Sequence, residues 1–465
     1  MEQADVATVP AVEVADVASR VEAAPEGAEA LLPPGPRAPA VAQGMSWYAN
    51  PVAFMTRCRK RYGRVFHARL GPGQDVVFVS DPGLAQGVFA GDSELFRTGD
   101  INGIFKRLIG PNSILLLDGE EHLRRRRILL PAFHGPNLER MRSVMESVIA
   151  EEVQRWPTGE PFAVLPKVSD ISTEIVVRAI FGVRGRERVA DLRAVLPRFM
   201  DLCRTSAVFF PPLRRELRGH SPWGRLMRSL KDLDRILYDE IARRRLEPDL
   251  DERGDVLSAL ITTRDDDGTG LSDAEIRDEL VTLLVAGHET TAGSLAFAFE
   301  QLVHYPHGLD RVEAEVALGG DEYLTALVEE SLRRRPVLPI VGRKTTAPVA
   351  LDDYVLPRGT VILPCVYLMH HEPELYPQPE EFRPERFLDG QTSTYEWIPF
   401  GGGIRRCVGA SFAMMEMKLV FAAVFSRLSL RAAGLPEAPV RRSVSLAPKD
   451  GAMVIAEPLH GGFAR

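Results

Sequence analysis

One apolar stretch limits the fold of this chain more than any other feature. It runs over Ser272–His304 and is apolar on nearly every face within Leu280–Leu302. Ser272 and Glu275 form a capping-box pattern at its start, and Pro306 closes the run. Such a helix would span roughly 50 Å. Because it has no polar face, it must lie buried at the centre of a large domain.

Most of the remaining sequence also predicts amphipathic helices, with charged residues on one face and Leu, Val or Ile on the other. The predicted helices are Pro82–Ala90, Gly119–Leu130, Pro136–Arg155, Lys167–Phe181, Ala190–Cys203, Ser221–Glu247, Asp255–Thr263 and Gly409–Arg427. Strand patterns predict a hairpin of Arg64–Leu70 with Asp75–Ser80, a strand-rich region at Val341–Val366 and a second hairpin within Val444–Ala456. The fold class is therefore mainly α with small β-sheets (α+β).

The composition of the chain is that of a globular protein. The sequence also predicts two regions, an N-terminal arm and a large domain. Of its 465 residues, 26% are charged and 45% hydrophobic. Residues 1–45 are rich in Pro and Ala and predict an extended or disordered arm, whereas residues 46–465 predict a single large helical domain.

Charge and hydropathy exclude several classes of protein. The net charge of −7 argues against nucleic-acid binding, and four cysteines are too few for a disulfide framework. No apolar run is long enough for an integral membrane anchor, and the first twenty residues have no secretory pattern. These features predict a cytoplasmic protein.

The segment WIPFGGGIRRCVGA contains a cysteine in an unusual setting. Phe400 is followed by three glycines, Arg405, Cys407 and Gly409, and a helix is predicted from Val408 onward. Glycines allow a tight turn and close approach to a flat group, and a helix N-terminus favours a thiolate. A thiolate held in this way suits a soft metal such as haem iron. The alternative is a buried structural cysteine.

A second motif, AGHETT, lies within the long apolar helix. Glu289 and Thr290 are polar residues where burial is expected. Gly287 has no side chain, so another group could approach the helix backbone there. The Thr290 hydroxyl can bond back to a carbonyl of the preceding turn. A packing contact of small residues between helices is the alternative interpretation.

Two further motifs pair charges at helical spacing. Glu330 and Arg333 in EESLRRRP are one turn apart, and Arg386 in FRPERF can complete a buried cluster with them. His122 and Arg126 in HLRRRR lie four residues apart on one helix face. Solvated surface pairs and a solvated basic face are the respective alternatives.

These motifs occur in the order typical of the cytochrome P-450 monooxygenases, and the chain resembles that family over nearly its whole length beyond the arm. The resemblance implies the cytochrome P-450 fold around haem b, with Cys407 as the axial iron ligand. It implies that Phe400 shields the sulfur and that the Glu330–Arg333–Arg386 cluster supports the cysteine loop. The other haem-binding residues implied are His122, Arg126, Arg343, Arg405 and Gly409.

The resemblance also implies a reaction. Dioxygen is activated, and one oxygen atom hydroxylates or epoxidises the substrate, while Thr290 holds dioxygen and water and Glu289 lies on the route of proton delivery. The sequence has no flavin, nicotinamide or iron–sulfur pattern, so electrons are expected from a ferredoxin and its NAD(P)H-dependent reductase. The predicted docking patch consists of Arg124, Arg125, Arg127 and Arg406.

The substrate pocket is predicted to be apolar, which leaves fatty acids, terpenoids or steroids, and polyketide-like molecules open. Its predicted residues, each with core packing as the alternative, are Phe105, Phe199, Phe209, Phe210, Ala286, Leu338 and Ile340. Two other functions compete with the monooxygenase interpretation: a peroxide-driven haem-thiolate peroxygenase and a non-catalytic haem sensor or binding protein. The acid–threonine pair argues against both.

Overall fold

The computed structural model of the chain describes residues 20–71, 73–183, 186–205, 208, 211–248, 250–265, 267–388, 393 and 395–459. It divides into two compact units. Unit 1 comprises the described residues of Met1–Ile101, Leu338–Pro379 and Thr392–Cys407. Unit 2 comprises those of Asn102–Val337, Glu380–Gln391 and Val408–Arg465. The prediction of one domain over residues 46–465 stays a prediction.

Helices account for most of the regular structure. The longer ones are α1 (Ala40–Ala49), α2 (Pro51–Tyr62), α3 (Pro82–Ala90), α4 (Gly119–Leu129), α5 (Gly135–Val153), α6 (Val164–Ile175), α7 (Arg186–Cys203), α8 (Pro222–Arg244), α9 (Val256–Thr262), α10 (Asp273–Val303), α11 (Pro306–Leu318), α12 (Glu322–Arg334) and α13 (Ala410–Phe425). Shorter α-helical segments are Gly99–Asn102, Lys106–Ile109 and Val366–His370. Every helix that the sequence predicted is present, with shifts at the ends. The predicted helix Lys167–Phe181 consists of α6 and a π-helical segment at Val176–Ile180.

The strands form small sheets. They are β1 (Val21–Ala23), β2 (Val65–Gly71), β3 (Gln74–Val79), β4 (Phe96–Arg97), β5 (Pro161–Ala163), β6 (Arg343–Thr345), β7 (Val349–Leu351), β8 (Tyr354–Leu356), β9 (Val361–Pro364), β10 (Leu428–Ala432), β11 (Pro439–Arg442), β12 (Ser445–Pro448) and β13 (Met453–Pro458). Unit 1 holds the sheets β2-β3-β9-β6-β4 and β1-β7-β8, and unit 2 holds β10-β13-β5 and β11-β12.

The core of unit 1 lies between its sheets and helices α2 and α3. Alternate residues of β3 point to opposite faces, so Val77 and Val79 enter one cluster and Phe78 enters another. Phe78 stacks on Phe66 of β2 with ring centroids 4.8 Å apart. The predicted hairpin of β2 and β3 is confirmed, and the strand-rich region supplies β6 to β9.

Helix α10 forms the centre of unit 2, as the sequence predicted. It has 31 residues and packs against α6, α8, α12, α13 and β12. Ser272 caps its first turn in a complete capping box with Glu275. Nearly all side chains of its N-terminal and C-terminal parts are buried. Within the described ranges, no helix combines the length and apolarity needed to cross a bilayer.

Two features differ from the predictions. The prediction of a hairpin within Val444–Ala456 is wrong. Strand β12 pairs with β11, whereas β13 pairs with β10 and β5. Alternation of polar and apolar residues predicts that a strand forms but not which strand it pairs with. Residues 20–45, which the prediction placed in an extended or disordered arm, contain β1 and the first turns of α1. Strand β1 is held by antiparallel pairing to β7.

Candidate functional site

The cysteine loop belongs to unit 1 and is shaped by its glycines. Gly403 has φ +65°, and a Cβ there would lie 2.0 Å from the carbonyl oxygen of Phe89, so only glycine fits. The Cys407 amide donates a hydrogen bond to the Phe400 carbonyl at 2.9 Å, which closes the loop. Cys407 is exposed, whereas the other three cysteines are buried. The loop therefore presents one accessible sulfur on a fixed backbone.

The predicted neighbours of this sulfur lie on several elements. The Phe400 ring contacts Trp397 edge to face at 5.9 Å. Arg343 on β6 is buried, with its guanidinium 5.3 Å from the centroid of the Phe89 ring. Arg405 is half-buried in the turn before Cys407. Gly409 is the N-cap of α13, so this helix begins at Ala410, one or two residues after the predicted starts at Gly409 and Val408.

In unit 2, the middle of α10 is more exposed than the parts of the helix on either side. Ala286 and Gly287 are exposed, and a Cβ added at Gly287 would meet nothing within 4 Å. The Thr290 hydroxyl donates to the Ala286 carbonyl at 2.7 Å, the back-bond that the sequence predicted. The buried helix thus opens one short face at the AGHETT motif.

Glu289 lines a small cavity of unit 2 and has polar side chains around its carboxyl. Its Oε1 accepts a hydrogen bond from the Ser445 hydroxyl at 3.2 Å and lies 3.8 Å from the Nε of Arg204. Arg442 also lines this cavity. Burial raises the pKa of Glu289, and the two arginines and Ser445 oppose the shift. A proton on this carboxyl is therefore held more firmly than on an exposed glutamate.

The side chains around Glu289 were missed by the sequence analysis. Ser445 is 156 residues away from Glu289 along the chain, so no local pattern connects them. His288, which was given no role, is buried, and burial lowers its pKa to about 4. Its Nε2 lies 3.2 Å from the Ser169 carbonyl.

Helix α4 carries the His-x-x-x-Arg pair. His122 is buried and Arg126 half-buried on this helix. Arg125 is 3% exposed and binds Glu279 at 2.8 Å and Glu275 at 2.5 Å. Its assignment to a docking patch is therefore wrong, because its charge is already neutralised in the interior.

The other members of the predicted docking patch lie nearer the surface. Arg124 is a partly exposed residue that pairs with Asp265 at 2.6 Å. Arg127 and Arg406 are exposed. Of the four predicted arginines, two are therefore exposed, one is partly exposed and one is buried.

The Glu–Arg–Arg cluster forms within unit 2 as predicted. Glu330 and Arg333 on α12 are fully buried and share two hydrogen bonds of 2.6 and 2.9 Å. Arg386 lies 3.1 Å from the same carboxylate, and the Arg383 amide donates to it at 2.9 Å. The carboxylate is thereby satisfied from three sides, which is the condition for keeping charges buried.

The residues predicted to line the substrate pocket differ in exposure. Phe199 is fully buried on α7, and Ile340 packs against the Phe54 and Phe78 cluster. Phe209 and Phe210 lie outside the described residues. The exposed or half-buried members are Phe105, Ala286 and Leu338.

Comparison with known proteins identifies the class to which this fold and these motifs belong. The family profile described as Cytochrome P450 matches residues 33–455. "Putative cytochrome P450 135B1" of Mycobacterium tuberculosis is 39% identical over 91% of each chain. A Mycobacterium bovis relative named for P450 138 is 38% identical over 94% of this chain and 98% of its own.

A solved structure shows the same fold. It is described as "Retinoic acid bound cyanobacterial CYP120A1" and matches with a TM-score of 0.81 at 26% identity, covering 93% of this chain and 100% of that one. The chain therefore belongs to the cytochrome P450 family and is a haem-dependent monooxygenase. Its cofactor is haem b with an axial cysteine thiolate.

Each unit, taken by itself, contains residues that fit this cofactor. Unit 1 offers one exposed cysteine in a loop whose glycines allow close packing against Phe89. Unit 2 offers an exposed Ala-Gly step in an otherwise buried helix, which leaves space for a flat apolar group. His122 and Arg126 of unit 2 and Arg343 of unit 1 are of the polar or cationic types that can bind propionates.

Proposed function

We propose that this monooxygenase hydroxylates or epoxidises a hydrophobic small molecule, with Cys407 as its haem ligand and with Thr290 and Glu289 delivering protons. The exposed face of α10 carries this proposal: Ala286 and Gly287 are open, and the Thr290 hydroxyl is fixed on the Ala286 carbonyl at 2.7 Å. Thiolate-bound haem supplies the reductive activation of dioxygen and the insertion of one oxygen atom, while the other leaves as water.

The protein's part is to hold the cofactor and to supply protons. Cys407, held by the bond from its amide to Phe400, provides the sulfur ligand. Because the Thr290 hydrogen is directed to Ala286, the Thr290 oxygen keeps a lone pair that can accept a hydrogen bond. A water held there is positioned for proton transfer, which needs a donor and an acceptor within hydrogen-bond reach.

Glu289 is suited to resupply protons. Its carboxyl lines the small cavity of unit 2 with Ser445 and Arg204, and burial raises its pKa. A raised pKa brings the acid closer to neutral pH, where it can both bind and release a proton. Ser445 donates to one oxygen of the carboxylate and thereby fixes its orientation.

The residues predicted to line the substrate pocket are apolar, which favours a hydrophobic substrate. Phe105, Ala286 and Leu338 are exposed or half-buried apolar residues. A structural relative binds retinoic acid, as its description states. Retinoid and other isoprenoid acids are therefore the first class to test, followed by fatty acids, steroids and polyketides.

Electrons are proposed to come from a ferredoxin and its NAD(P)H-dependent reductase, in the cytoplasm as the sequence predicts. The exposed Arg127 and Arg406 remain as candidate contacts for an acidic partner. Reconstitution with such a pair distinguishes the candidate functions. Product formed only with reductase and ferredoxin supports the proposal, product formed only with peroxide supports a peroxygenase, and substrate binding without turnover supports a sensor.

Thr290→Ala tests the proton route in the same assay. We expect product formed per NADPH to fall by about 10-fold or more, because general acid–base catalysis typically contributes about 100-fold or more. The lost electrons should appear as hydrogen peroxide. Thr290→Ser is the matched control because it keeps the hydroxyl and should retain most of the coupling. Equal coupling in Thr290→Ala and the parent would exclude Thr290 from the proton route.

A further inference from the structure

The charges of the chain are distributed unevenly near its beginning. Residues 30–74 contain seven Lys or Arg residues and no Asp or Glu, although the whole chain has a net charge of −7. A local excess of one sign over such a length creates a surface potential of its own. The segment forms α1, α2 and β2, all within unit 1.

Helix α1 turns an apolar face outward. Its sequence, AVAQGMSWYA, contains no charged residue. Val41 and Met45 are both 63% exposed, and Tyr48 is 49% exposed. These three residues follow the spacing of one helix face, whereas Gln43 is buried on the inner side. Surface helices normally expose polar side chains, so an apolar outer face indicates a binding surface.

Helix α2 places positive charge beside this apolar face. Arg57, Lys60 and Arg61 are exposed, and none of them forms an ion pair within the described part of the chain. Neighbouring arginines differ: Arg59 pairs with Glu372 at 2.8 Å, and Arg64 pairs with Glu374.

The two helices are joined by a side-chain contact. The Arg57 guanidinium donates to the Ser46 hydroxyl of α1 at 3.1 Å. This contact puts the uncompensated charges of α2 next to the apolar face of α1. We call the set of Val41, Met45, Tyr48, Arg57, Lys60 and Arg61 the α1–α2 surface.

We propose that the α1–α2 surface docks peripherally on an anionic lipid membrane. An apolar helix face that enters the boundary between headgroups and acyl chains, with basic residues beside it, is the pattern of interfacial binding. Tyrosine is suited to the same depth because its ring is apolar and its hydroxyl polar. Each Lys or Arg near an anionic surface strengthens such binding about fivefold.

Two other partners could cover the α1–α2 surface: a second copy of the chain, or residues 1–19 of the same chain. A second copy docked on the same surface by two-fold symmetry would bring the two basic clusters together, which is repulsive. Residues 1–19 of the chain contain four acidic residues and no basic one, so they are the competing occupant. A chain lacking residues 1–19 therefore belongs in the experiment.

The test is co-sedimentation of the haem-loaded full chain with vesicles of phosphatidylcholine alone or with about 30% phosphatidylglycerol. We expect binding only to the anionic vesicles, weakened by salt. The triple reversal Arg57→Glu, Lys60→Glu and Arg61→Glu should lower the partition coefficient by at least on the order of 100-fold, the loss expected from removing the three positive charges alone. Val41→Ser with Met45→Ser should lower it by about 10-fold or more.

Matched controls separate this surface from general charge or hydrophobicity. Arg225→Glu, Lys231→Glu and Arg235→Glu reverse three exposed charges on α8, and Leu318→Ser removes an exposed leucine of α11. Both should bind vesicles as the parent does. Failure of the full chain to bind anionic vesicles overturns the proposal, even if the chain lacking residues 1–19 binds. Equal losses in test and control variants also overturn it, as does dimerisation that the serine variants abolish.

Discussion

Glu416 offers a test of the structure that depends on pH. It lies on α13 and is only 2% exposed, and its Oε1 accepts a hydrogen bond from the Ser172 hydroxyl at 2.6 Å. Burial raises the pKa of Glu416 from 4.5 to about 7, and the single bond from Ser172 offsets only part of the shift. The folded protein therefore keeps a proton on Glu416 at a pH where the unfolded chain has released it.

The sign and size of the effect follow from this difference. The stabilising proton is fully retained below pH 4.5 and is lost as the pH rises through about 7. A shift from 4.5 to about 7 corresponds to about 3 kcal/mol of unfolding free energy lost at alkaline pH. Glu416→Gln stays neutral at every pH. The variant should match the parent near pH 4.5 and be more stable by about 3 kcal/mol above pH 8.

Scanning calorimetry of the haem-loaded protein measures the difference. An unfolding entropy of about 2.1 cal/mol/K per residue gives the chain roughly 1 kcal/mol per degree, so the Tm of Glu416→Gln should exceed that of the parent by about 3 °C at pH 8.5. Glu187→Gln, at an exposed position of α7, is the control and should shift the Tm equally at both pH values. A Glu416→Gln shift that is independent of pH, or absent, would refute the reasoning.

Two shorter predictions concern the sulfur and the buried cluster. Cys407→Ala should abolish the thiolate-type absorption shift of the reduced carbon monoxide complex, and its survival would contradict the ligand assignment. Glu330→Gln leaves the fully buried Arg333 without a carboxylate, so it should destabilise the fold by about 3–5 kcal/mol in thermal unfolding. Glu322→Gln, exposed at the start of the same helix, should have no such effect.

The sequence was most informative where a pattern is local. The capping box of Ser272 and Glu275 and the apolar run behind it predicted α10 to within a residue at each end. The same spacing rules predicted that Glu330 and Arg333 would pair. Turns of helix and caps depend on residues three or four apart, and such contacts can be read from a single sequence.

The failures concern partners that are distant along the chain. Strand β13 was predicted to pair with β12, its nearest neighbour, but pairs with β10 and β5. The carboxyl of Glu289 meets Ser445 and Arg204, which no spacing rule relates to it. Side-chain periodicity predicts which face is buried, but the choice of partner depends on tertiary packing.

Arg125 shows a failure that the periodicity itself could have prevented. Arg124, Arg125 and Arg127 were interpreted as surface charge, yet Arg125 is three residues from the buried His122 and three from the buried Ile128. These positions form one stripe of a helix with 3.6 residues per turn. Glu279 supplies the countercharge in the interior, at 2.8 Å. A charge on an apolar stripe thus predicts a buried partner better than a solvated face.

The exposed step in α10 has an energetic consequence for the cofactor. Ala286 and Gly287 are exposed within a continuous helix whose flanking residues are mostly buried, and glycine inside a helix costs up to about 1 kcal/mol relative to alanine. The Thr290 hydroxyl also shares the Ala286 carbonyl, a bond that bends helices. A group that binds only the folded chain stabilises it by mass action and thereby offsets this cost in free energy. Bound haem is therefore expected to offset the cost in helix stability of the Ala286–Gly287 step.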